Sequence, residues 1–62
     1  MLEWREYPIL EGVMRAVYNG FSIVCDPSRM YMNYTYEVMD LDNEYITHTN
    51  DEGVMHKLIG LN

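Results

Sequence analysis

Positive charge is scarce in this sequence: Lys and Arg total 4 against 10 Asp and Glu, a formal net charge of −6 at pH 7. Nucleic acid and anionic membranes are held by clustered Lys and Arg, and Arg5, Arg15, Arg29 and Lys57 form no cluster. Direct binding to either is therefore not expected, and a larger protein partner, one with a basic surface, is favoured. Cysteine is scarcer still. The single Cys25 rules out an internal disulfide. No apolar run approaches the roughly 18 residues that a membrane span needs. The opening MLEWREYP lacks the basic start and apolar stretch of a secretion signal. A cytoplasmic protein is expected, in a host cell if the gene is carried by a phage.

What is present is apolar material. The chain is 48% hydrophobic and 13% aromatic, too rich for an acidic disordered tail, so residues 1–62 are read as one small domain, with residues 1–7 as an arm carrying Leu2, Trp4 and Tyr7. Such a short chain removes only about 60% of its unfolded surface from water. Ordering costs of about 1.5 kcal/mol per residue then nearly cancel the gain from burial. With a disulfide excluded, self-association, as a dimer first of all, is the expected supplement.

The spacing of Ile9, Leu10, Val13, Met14, Val17 and Tyr18 predicts an amphipathic helix over 9–18, started by Pro8 and stopped by Asn19-Gly20. A rival reading pairs 12–18 with 21–26 through a type I′ Asn-Gly turn. Residues 21–25 form a strand ended by Asp26-Pro27-Ser28. Residues 31–39 form a second strand, with Met32, Tyr34, Tyr36 and Val38 facing the core. A three-residue loop, Leu41 to Asn43, with Asn43 left-handed, sets Asp40 against Glu44 and Val38 against Ile46. The motif Thr49-Asn-Asp-Glu52 resembles a capping box opening a second helix, whose stripe is Val54, Met55, Leu58 and Ile59 and whose stop is Gly60. The expected fold is α+β: a three-stranded antiparallel meander with two helices on one face, in the order α-β-β-β-α.

No catalytic or cofactor pattern stands out. Cys25, His48 and His56 lack the C-x-x-C or H-x-x-x-H spacing that seeds a metal or thiol site. Asp40-x-Asp42-Asn43-Glu44 lacks the sixth-position Gly and twelfth-position Glu of a calcium loop and is better explained as turn chemistry. Tyr31, Tyr34, Tyr36 and Tyr45 lack the basic groove that accompanies base-stacking platforms. No cofactor or metal is expected.

The expected function is that of a non-enzymatic interaction protein that binds and modulates or inhibits a larger protein. Size and charge alone are similar to those of the accessory proteins that phages and mobile elements direct against host machinery. Two helices cannot cover both sides of a sheet, so Tyr31, Glu37, Met39 and Tyr45 are expected on an open face, flanked by Asp40, Asp42 and Glu44, with Trp4 as a further anchor. An acidic mimic of duplex DNA that occupies a basic nucleic-acid-binding protein and a self-assembling accessory component are the alternatives.

Overall fold

A computed structural model describes residues 2–32 and 34–61, without the side chains of Met30 and Tyr31. Five antiparallel strands lie in chain order: β1 (Arg5–Glu6), β2 (Met14–Tyr18), β3 (Phe21–Cys25), β4 (Tyr36–Asp40) and β5 (Tyr45–Thr49). A 3-10 turn, Pro27–Met32, joins β3 to β4, and one helix, α1 (Glu52–Leu58), follows β5. The fold is mixed α+β, but with five strands and one helix where three strands and two helices were expected.

The expected first helix is the main correction. Gly12 has a φ of 79°, outside the helical region, and Ile9 and Leu10 sit exposed in the connection from β1 to β2. Beyond it, Val17 follows its β-branched preference within β2. Asn19 and Gly20 adopt φ of 53° and 81°, the left-handed pair of a type I′ hairpin turn, and β2 pairs with β3 from Tyr18↔Phe21 to Met14↔Cys25. The apolar spacing that suggests a helix arises because β2 is covered on one side by the core and contributes Val17 to the other. Within the expected N-terminal arm, Arg5 and Glu6 form β1, which pairs with β2 as Arg5↔Arg15 and Glu6↔Met14.

The expected strand over 31–39 is shorter than the pattern suggests. Met32 lies in the 3-10 turn and is exposed, and Tyr34 precedes the strand, so neither joins the core. Thr35, 6% exposed, is held by Asn50, whose Oδ1 accepts from the Thr35 amide at 3.0 Å and its hydroxyl at 2.7 Å. The three-residue hairpin loop does form: the Asp40 amide donates to the Glu44 carbonyl at 3.0 Å, and Asn43 has a φ of 62°. The register then shifts. Met39 pairs with Tyr45 but Val38 pairs with Thr47, so Ile46 is the extra residue of a β-bulge and does not face Val38.

One core results. Ile23, Val38, Met55 and Ile59 are fully buried and in contact, with Leu2, Trp4, Tyr18, Phe21, Tyr36 and Leu61 packed around them. The helix start is displaced by two residues from the expected box: Asp51 is the N-cap, accepting from the Val54 amide at 3.1 Å, while Thr49 Oγ1 accepts from Asp51. Val54 and Leu58, expected in the buried stripe, are exposed. At the other end the Gly60 amide donates to the Lys57 carbonyl and the Leu61 amide to the His56 carbonyl, a Schellman closure that returns Leu61 to the core.

Candidate docking face

Strand alternation sorts the sheet into two sides. Ile23 and Val38 face α1, so their neighbours on the same strands face away from it. Across the far side run two rows set by the register. One reads Arg5, Arg15, Val24, Glu37, His48; the other reads Val17, Ser22, Met39, Tyr45. The bulge at Ile46 is what puts Tyr45 and His48, three residues apart, on the same side; a regular strand would alternate them.

The two ends of this face differ in charge. At the β1–β2 end, Arg5 and Arg15 stand directly opposite each other, a like-charge pairing that destabilises a sheet unless something offsets it. Arg15 lies across the surface, its Nε donating to Ser22 Oγ at 2.9 Å, and this cover leaves Ser22 with no exposure. Arg5 makes no ion pair with any described residue. Beside them is a groove of about 500 Å³ lined by Glu3, Arg5, Tyr7, Ile9, Arg15 and Val17. At the β4 end, Glu37 and Asp26 both bind Arg29, at 3.2 Å each, which leaves this trio one negative charge in excess. His48 completes the far edge: its ring is edge-on to Tyr34 at 4.3 Å between centroids, and its Nδ1 is hydrogen-bonded to Tyr45 Oη.

Glu37, Met39 and Tyr45, expected on the open face, share it. Tyr45 is 55% exposed and Val17 56%, so the aromatic and aliphatic edges of the face remain in water. The side chain of Tyr31 lies outside the described residues. Trp4 sits on the other side, packed against the core with its ring 6.3 Å from that of Tyr36. Asp42 and Glu44 are exposed in the hairpin, but the Asp40 carboxylate is occupied, accepting from the amides of Asp42 at 2.8 Å and Glu44 at 2.9 Å. The expected face rests on two helices sheltering one side. Only α1 does so, and Leu2, Trp4, Tyr18 and Phe21 complete the shelter.

Sequence reasoning missed Arg5, Arg15, Val17, Val24 and His48. Their signal is the alternation of Arg15 and Val17 with buried Ala16, visible only once 14–18 is taken as a strand.

Cys25 and Tyr36 are register partners on the core side. Burial, then Asp26 and Glu52, push the Cys25 thiol above its ordinary value, and burial, then Cys25 and Glu52, do the same for the Tyr36 hydroxyl. A thiol held protonated is a poor nucleophile. Among the described residues, no three His, Cys, Asp or Glu side chains gather in a way that could hold a metal ion, and no helix is long and apolar enough to cross a membrane.

Comparison with known protein families, curated proteins and solved structures found no match.

Proposed function

We propose that this chain is a non-enzymatic interaction protein that binds a larger protein through the sheet face opposite α1 and modulates or inhibits it. The observation that carries the reading is the exposure of Val17 and Tyr45 on that face, in one row with Met39 and beside a row that changes from Arg5 and Arg15 to Glu37. A mixed surface of this kind, with apolar side chains among charges of both signs, matches the make-up of protein interfaces better than that of a substrate cleft. The high proton affinity of the Cys25 thiol and its position beside the core further favour a binding role over thiol chemistry.

The test is affinity capture from lysate with dilute wild-type bait and with Met39→Asp bait. A protein captured by the wild type and lost with the variant supports the reading, provided that circular dichroism shows the variant folded. Equal capture by both baits would place the contact elsewhere. Salt supplies a second readout. Retention between low and moderate salt fits the mixed face, whereas a steep loss would point to mimicry of DNA phosphates by the acidic hairpin.

A further inference from the structure

The open face is complementary to itself. Its first row runs Arg5, Arg15, Val24, Glu37, His48 across the five strands, with β3 in the centre. A two-fold axis lying along β3, between two copies stacked face to face, superposes that row on its own reverse. Arg15 of each copy then meets Glu37 of the other, and Val24 meets Val24. In the second row Val17 meets Met39, and Ser22 lies on the axis. A two-fold pairing requires every contact to occur twice with roles exchanged; the three central strands satisfy this, with Arg15 facing Glu37 and Val17 facing Met39, while at the rim Arg5 falls opposite His48 and Tyr45 has no counterpart in its row.

From this we infer that the free chain pairs with a second copy through this face, as a two-sheet sandwich with α1 outermost on both sides. The pairing rests on the reading of that face as the docking surface and adds its regulation: self-pairing and partner binding exclude each other, so a partner competes with the second copy. The charge arithmetic supports this occupant. Two guanidiniums face each other without a described ion pair on one side of β3, and on the other two carboxylates share the single Arg29. The copy's Glu37 supplies the carboxylate that Arg15 lacks.

Edge-to-edge growth of the sheet is a poorer alternative, because β1 is only two residues long and β5 carries the bulge, two devices that blunt sheet edges. Five strands at about 4.8 Å spacing and five residues at about 3.4 Å give each copy a face roughly 19 Å by 17 Å. Two such faces come to about 650 Å², below the roughly 1,200 Å² at which specific, stable interfaces start and in the range of weak, transient ones. The dimer is accordingly reversible and concentration-dependent.

The experiment is sedimentation equilibrium on wild type, Arg15→Glu, Glu37→Arg and an equimolar mixture of the two variants. Wild type dimerises with rising concentration. Each variant alone sets like charges together twice and weakens the dimer by about tenfold or more. Mixing restores it as a 1:1 heterodimer: at one contact the new carboxylate of Arg15→Glu meets the new guanidinium of Glu37→Arg, and at the other the native Arg15 and Glu37 still meet. Val24→Asp, with two carboxylates meeting at the axis, weakens the dimer, and neither charge variant restores it. Circular dichroism confirms that each variant is folded, and a fold defect would not be cured by mixing. A wild type that stays monomeric up to about millimolar concentration overturns the inference. So does a dimer indifferent to both reversals, or a mixture that fails to recombine. Dilute-bait capture is read on monomer, so it can succeed where self-pairing fails.

Discussion

Asn19 donates from Nδ2 to the carbonyl oxygen of Ile59 at 2.9 Å, tying the β2–β3 turn to the end of α1 across 40 positions of sequence. The same residue holds the left-handed φ of 53° that the turn requires, so its two roles are separable. In Asn19→Gly the turn is kept and the hydrogen bond lost, and stability should fall by about 1 kcal/mol. Asn19→Ala loses both and should fall by roughly 2 kcal/mol. Urea melts of the three proteins check the order; an Ala variant no less stable than the Gly variant would remove the turn's share.

Met55, fully buried between α1 and the sheet, is the helix's main contribution to the core. Truncating such a side chain costs about 2–5 kcal/mol, a large part of the stability of so short a chain. Met55→Ala should therefore be mostly unfolded by circular dichroism near 37 °C. Met55→Leu, close in volume, should retain the wild-type spectrum with a loss under about 1.5 kcal/mol.

Alkaline pH should weaken the fold in a way that depends on Cys25. Both the Cys25 thiol and the Tyr36 hydroxyl have folded values above their ordinary ones, first because of burial. As pH rises through the ordinary thiol range, the unfolded chain releases its proton before the folded one, so the stabilisation present below that range is lost above it. Tyrosine extends the loss to higher pH. Unfolding free energy measured from about pH 7 to about pH 10 should decline for wild type, and the decline should start later in Cys25→Val. An identical profile in the two proteins would mean that the thiol is not the group responsible.

The hairpin was legible in the sequence down to its loop length, because Asp40 and Asn43 are local turn formers and Asn43 takes the left-handed φ of 62°. The helix at the C-terminal end was legible for a similar reason: Asp51, Glu52 and Gly60 act on the backbone within a few residues of themselves. The bulge at Ile46 was not, since it reflects a choice between Ile46 and Thr47 opposite Val38 that the whole sheet makes. Residues 9–18 failed for a sharper reason. Ile9, Leu10, Val13 and Val17 fit a helical period by coincidence, and the decisive local cue was Gly12, whose φ of 79° ends any helix there. Of the expected site, Glu37 and Met39 followed from strand alternation, and Tyr45 from the register that the three-residue loop sets against Met39. Arg5 and Arg15 needed two strands that the period had hidden, and Trp4 was drawn inward by the core's need for a large apolar side chain.

The most direct test of the open face is a paired measurement on Tyr45→Ala: its association with the partner captured by wild type, and its melting temperature. Tyr45 is 55% exposed and contacts His48 beside it. Truncation is expected to weaken association by about tenfold or more while lowering the melting temperature by no more than about 5 °C. Unchanged association together with a large drop in melting temperature would contradict the docking role and return this tyrosine to the core.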